Sequence, residues 1–120
     1  MRKLLILTTV LLATPALAHA PKIGPHGGAQ ADAGDYHVEI VAKDTTLEVY
    51  VRDHSDNPVP AAGFKGTAIL VVDGKPQRIP LTPAAENRLT GTSPVVLPAA
   101  PKGAVQITPP KGATAQAKFN

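Results

Sequence analysis

The 120-residue chain has no cysteine and no tryptophan, and only two tyrosines, two phenylalanines and one methionine. Without thiols there can be no disulfide, no thiolate metal centre and no cysteine-based redox or nucleophilic chemistry. Four aromatic rings provide no stacking platform for bases or sugars. The only serines are Ser55, in a turn context, and Ser93, before a proline. No Gly-x-Ser-x-Gly, phosphate-binding loop or paired-acid arrangement occurs, so catalysis is not expected. Charge of one sign is also scarce. Twelve Lys and Arg face nine Asp and Glu, and Arg2 and Lys3 sit in a leader-like terminus, leaving a scattered excess of one. That gives no electrostatic footprint for nucleic acid.

The first residues have the three regions of a secretory signal. Arg2 and Lys3 are followed by an apolar run over 4–12 and the small-residue exit Thr14-Pro15-Ala16-Leu17-Ala18. The run is too short to span a bilayer. Cleavage after Ala18 is expected, giving a periplasmic or secreted product of 102 residues that begins with His19 and has no membrane span. A second Ala-x-Ala, Ala18-His19-Ala20, would instead place Pro21 first, which is a poor substrate.

A terminal His19 offers its α-amine and its imidazole to one ion. With a second histidine this makes a histidine brace, a donor set suited to tetragonal Cu(II). Three more histidines follow, His26, His37 and His54. With nitrogen and oxygen donors only, the metals that fit are Cu(II), Zn(II) or Ni(II) rather than Cu(I).

Residues 19–35, rich in Gly, Pro and Ala, show no period and read as an irregular amino-terminal arm. Residues 36–42 and 46–54 alternate apolar and polar, as half-buried strands do, around a turn near Lys43-Asp44-Thr45. Residues 67–72 form a denser apolar run, and Asp73-Gly74 is a hairpin signal. Residues 77–81 return, with Pro76 and Pro80 confining them to an edge or to strand ends. Further strands are expected over 88–92, 104–108 and 113–119. The expectation is an all-β domain over 36–120, a small antiparallel β-sandwich of about seven strands.

The first hairpin fixes a geometry. Pairing Ala42 with Leu47, Ile40 with Val49 and Val38 with Val51 buries both apolar sets together. The same register sets His37 opposite Arg52 and Glu39 opposite Tyr50, with His54 diagonal to His37 on the outward face. Glu39 is then available as a ligand or as support for one. Asp53 has inward parity and either is buried or orients a ring. Asp56 flanks His54. The glycines of His26-Gly27-Gly28 let backbone fold close to an ion.

Pro25-His26-Gly27-Gly28, Gly34-Asp35-Tyr36-His37-Val38-Glu39-Ile40-Val41 and Leu47-Glu48-Val49-Tyr50-Val51-Arg52-Asp53-His54 resemble small exported proteins that accompany heavy-metal efflux systems. The resemblance covers about thirty residues. It implies a periplasmic accessory that binds copper or a related metal, with His26, His37 and His54 as site positions and an efflux complex as partner. The His-Ala start is also similar to CopC-type copper-resistance proteins, small β-sandwiches, so the expected sandwich is immunoglobulin-like or CopC-like. That resemblance implies Cu(II) at His19; the Met-rich stretch some of them use for Cu(I) is missing. The expected function is thus Cu(II) binding for sequestration or delivery. The ligands are His19, His37 and His54, with His26 as an alternative and Glu39 or Asp53 in support. The competing readings are a metal-free exported sandwich that docks on an envelope complex, and a copper monooxygenase, for which 102 residues leave little substrate surface.

Overall fold

The computed structural model describes residues 22–120; the leader, His19 and the start of the arm lie outside the described residues. Nine strands follow one another: β1 Lys22–Ile23, β2 Ala29–Ala33, β3 Tyr36–Lys43, β4 Thr46–Arg52, β5 Lys65–Val72, β6 Lys75–Pro83, β7 Arg88–Thr92, β8 Lys102–Thr108 and β9 Ala115–Phe119. Among the described residues no helix is long and apolar enough to cross a membrane.

Every pairing is antiparallel, and the strands form one curled sheet in the order β1-β2-β3-β4-β7-β6-β5-β8-β9, a half-barrel. β6 joins the two halves. It pairs with β5 along residues 75–81 and with β7 only at Thr82 and Pro83. Pro76 and Pro80 therefore lie where β6 has a single hydrogen-bonded neighbour, which suits residues that lack an N–H. Curling brings β2 towards β9, so that a Cβ on Gly34 would sit 3.2 Å from Ala115.

The concave side holds the core, whose largest fully buried apolar side chains include Ile40, Leu47, Leu70, Ile79, Leu89 and Ile107. Burying each such side chain contributes about 1.5–3 kcal/mol. Alternation selects these residues. In β3 and β4, Val38, Ile40, Leu47, Val49 and Val51 are buried, and Ala42 at the hairpin end is half-buried. Their partners are those the hydrophobic pattern requires, from His37↔Arg52 to Lys43↔Thr46. The connections behave likewise. Asp73 and Gly74 both adopt positive φ, 51° and 77°, closing the two-residue β5–β6 hairpin as Asp-Gly does in such turns.

Two expectations change. Nine strands replace about seven, and the segment read as an irregular arm contains both additions, β1 and β2. Ala29-Gln30-Ala31-Asp32-Ala33 has no β-branched or aromatic residue, so its own propensity for strand is low. It is held as strand by pairing along the whole edge of β3, from Ala29↔Ile40 to Ala33↔Tyr36, and by burial of Ala33.

Candidate metal centre

On the convex face of β2–β3–β4 the registers place Asp32, His37 and Arg52 in one row and Gln30, Glu39 and Tyr50 in the next. Two clusters stand there, joined through Arg52.

The first is built on Glu39. Its outward parity is as expected, but the loop from β1 to β2 folds back over it and leaves it fully buried. Glu39 Oε2 accepts the backbone N–H groups of His26 and Gly28, each at 2.9 Å. Glu39 Oε1 lies 3.0 Å from His26 Nδ1 and 3.5 Å from the Arg52 guanidinium. Arg52 also donates to Gln30. The loop comes this close because Gly24 and Gly28 lack side chains. A Cβ on Gly24 would lie 2.3 Å from the Glu39 carboxyl carbon, and one on Gly28 would lie 2.0 Å from the Ile40 carbonyl oxygen. The His26 ring stacks flat on Tyr50, centroids 3.6 Å apart and planes 9° apart. Burial pushes the Tyr50 phenol above its ordinary 10.0, reinforced by the hydrogen bond it donates to Glu48.

His-Gly-Gly thus folds backbone against a carboxylate. Both oxygens of Glu39 are engaged by the loop and Arg52, and of the two roles expected for it, ligand or support, its contact with the His26 ring has the geometry of support. His26 Nδ1 faces the Glu39 carboxylate, the kind of contact a supporting carboxylate makes with a metal-ligating histidine. His26 does not join the other histidines: its ring contacts are Glu39 and Tyr50.

The second cluster sits where β2, β3 and the loop after β4 meet. His37 and His54 come together as the register implied, rings edge to face with centroids 5.9 Å apart. Three carboxylates surround them. His37 Nδ1 lies 2.7 Å from Asp56 Oδ1, His37 Nε2 lies 3.5 Å from Asp32 Oδ1, and His54 Nε2 lies 3.4 Å from Asp35 Oδ1. The hydrogen bond from His37 holds the Asp56 carboxyl below its ordinary 3.8. Asp53 is half-buried and spends Oδ1 on the N–H groups of Ser55 and Asn57, both at 2.9 Å. It thereby fixes the turn that carries His54 and Asp56, and it is not among the contacts of either ring.

The chemistry of this set is specific. With Nδ1 on Asp56, Nε2 of His37 faces the Asp32 carboxylate, and such a nitrogen–oxygen pair is bridged either by a proton or by a cation between them. Metal–nitrogen and metal–oxygen bonds of about 2.0–2.2 Å put neighbouring donors of a tetrahedral shell about 3.3–3.5 Å apart. The two Nε2–carboxylate gaps match that edge. A tetragonal Cu(II) shell has adjacent donors about 2.9 Å apart, so copper would draw each carboxylate inward by about half an ångström. Asp32 and Asp35 are 73 % and 93 % exposed and can make that shift. Two imidazoles sharing an ion through Nε2 hold their centroids about 5–6 Å apart, which the observed pair satisfies. Among the described residues no three His, Asp or Glu side chains converge on one point ready to hold an ion.

No family model matches the chain, and no curated protein or solved structure matches it.

Sequence reasoning found the meeting of His37 with His54 but missed Asp32 and Asp35, because their segment was read as irregular. Gly24, Gln30 and the clamping role of Arg52 were missed for the same reason. The available signal was the alternation of Asp32 with small residues, two positions before a glycine turn that leads straight into His37.

Proposed function

We propose that this protein is a periplasmic metal-binding protein that holds Cu(II), with Zn(II) or Ni(II) as alternatives, for sequestration or for delivery to a heavy-metal efflux complex. The observation that carries the proposal is the His37 Nε2–Asp32 gap of 3.5 Å beside His54 Nε2–Asp35 at 3.4 Å, with the two rings in contact. A carboxylate on Nδ1 and another facing Nε2 is the environment of a ligating histidine with its supporting partner. His19, freed by cleavage after Ala18, would supply the amine and ring nitrogens that favour copper over zinc. The site is open to solvent at His54, as transfer to a partner requires. On the fold side, the same reading takes the two halves of the curled sheet, closing on one core, as a small sandwich of the CopC type.

Mass spectrometry of the exported protein under native conditions, with and without added copper, tests the proposal. The expected result is a chain that begins at His19 and retains one copper ion. A chain that starts at His19 and takes up neither copper nor zinc contradicts it.

A further inference from the structure

The charges of the chain are sorted by position. Residues 22–57 carry seven Asp and Glu against Lys22, Lys43 and Arg52, a net of −4. Residues 58–120 carry seven Lys and Arg against Asp73 and Glu86, a net of +5. The acidic half forms the β1–β4 side with the histidines, and most of the basic half forms the β5–β6–β8–β9 side.

The convex face of that basic side has an unusual make-up. Its register sets Arg78, Ile69, Ala104 and Lys118 in one row, and Pro76, Val71 and Lys102 in the next. Ile69 is half-buried and Val71 is 47 % exposed, although a solvent-facing sheet surface is ordinarily polar. An open recess of about 580 Å³ is lined by Ile69, Val71, Lys102, Ala104 and Lys118 among others. Arg78, Lys102 and Lys118, the cations of these rows, are all exposed. The salt bridges among the described residues involve Lys43, Arg52, Arg88 and the histidines, and none of these three cations. Gly103 lets β8 lie tight against β5 here. It has φ +143°, and a Cβ would sit 2.1 Å from the Ile69 carbonyl oxygen.

An apolar strip ringed by unpaired cations calls for an anionic occupant with an apolar interior. The side-chain types separate a protein from a lipid surface. The centres of protein interfaces are enriched in aromatic residues and arginine and depleted in lysine. This face shows two lysines and one arginine, and its one aromatic, Phe119, borders the recess at only 6 % exposure. Lysine is, by contrast, well suited to diffuse attraction by anionic headgroups, and β-branched apolar side chains at the same level gain by entering the headgroup–acyl boundary.

We propose that the convex face of β5–β6–β8–β9 docks on an anionic lipid surface. Arg78, Lys102 and Lys118 lie at the headgroup phosphates, and Ile69 and Val71 lie at the acyl boundary. The same field turns the acidic β2–β3–β4 side, with His37 and His54, away from the bilayer. The inference is independent of whether those histidines hold a metal.

The test is co-sedimentation of the purified exported protein with phosphatidylcholine vesicles, with and without about 30 % phosphatidylglycerol. The runs are made at about 0.05 M and about 0.3 M salt. Binding is expected only to the phosphatidylglycerol vesicles, and it weakens as salt rises. The double variant Lys102→Glu/Lys118→Glu loses at least about tenfold in partitioning. Ile69→Ser/Val71→Ser loses about threefold or more with the salt dependence unchanged. Melting curves of both variants within a few degrees of wild type show that they are folded. Equal binding to both vesicle types, no binding at low salt, or binding unmoved by the charge reversals overturns the proposal. Vesicle-free sedimentation velocity covers the other occupant. Self-association abolished by Lys102→Glu/Lys118→Glu, in a protein that ignores vesicles, would assign the face to an acidic protein surface instead.

Discussion

Replacing Glu39 by glutamine tests the clamp beneath the His26 loop. The carboxylate meets four donors: two backbone N–H groups at Oε2, and His26 Nδ1 with the Arg52 guanidinium at Oε1. A glutamine keeps the shape but offers one oxygen, so in either orientation its NH2 group confronts two donors. Hydrogen bonds to a charged acceptor contribute about 1.5–3 kcal/mol each, so losing two costs roughly 3–6 kcal/mol. Removing one partner of a buried ion pair costs a similar amount, about 3–5 kcal/mol, and Arg52 is left with only 5 % of its side chain exposed. At about 4–8 °C per kcal/mol for a domain of this size, Tm should fall by at least about 12 °C. Thermal and urea unfolding followed by circular dichroism measures this. A double-mutant cycle with Arg52→Met should return a coupling of at least about 1 kcal/mol, because the two side chains touch. A loss below about 1 kcal/mol in Glu39→Gln, or additive behaviour in the cycle, would refute the clamp.

Two further outcomes follow from the same contacts. Gly28→Ala and Gly24→Ala drive a methyl into the Ile40 carbonyl and the Glu39 carboxylate and should each lower stability by about 2 kcal/mol or more. Gly27→Ala, at φ +81° but facing open space, should cost only about 1 kcal/mol; unfolding curves that rank Gly27→Ala as worst would contradict the loop geometry. Asp56 sets an acid limb. Its folded carboxyl titrates below the ordinary 3.8 because His37 donates to it. Its contribution is therefore present above about pH 4 and is lost as pH falls through the depressed value. Wild type should be more stable than Asp56→Asn at neutral pH, with the gap closing below about pH 4; a gap that does not change with pH would remove the His37–Asp56 bond from the account.

Much of the fold was legible because it rests on local chemistry. Alternation in 36–52 fixed the β3–β4 register, since a one-residue slip would bury His37 and expose the valines. Asp73-Gly74 marked its hairpin through positive φ. The β2 strand was illegible because Ala and Asp disfavour strand locally, and only pairing with the edge of β3 overrides that preference. Glu39 illustrates the limit of parity arguments. Alternation correctly set it on the convex face, but its burial comes from a loop thirteen residues earlier, admitted by Gly24 and Gly28. The candidate site divides in the same way. His37 and His54 were paired through local register, whereas Asp32 and Asp35 arrive from the strand that propensity could not see. Asp53 was noted for its parity, and its work is to hold the turn after β4.

The central claim is that His37 and His54 share a metal ion, and Cu(II) titration of the exported protein beside a His37→Ala/His54→Ala variant tests it most directly. The wild type should bind with submicromolar affinity and gain in Tm, as a ligand of the native state must produce, and the variant should bind at least about tenfold more weakly. Copper binding of equal strength in the variant, or none in the wild type, would contradict the claim.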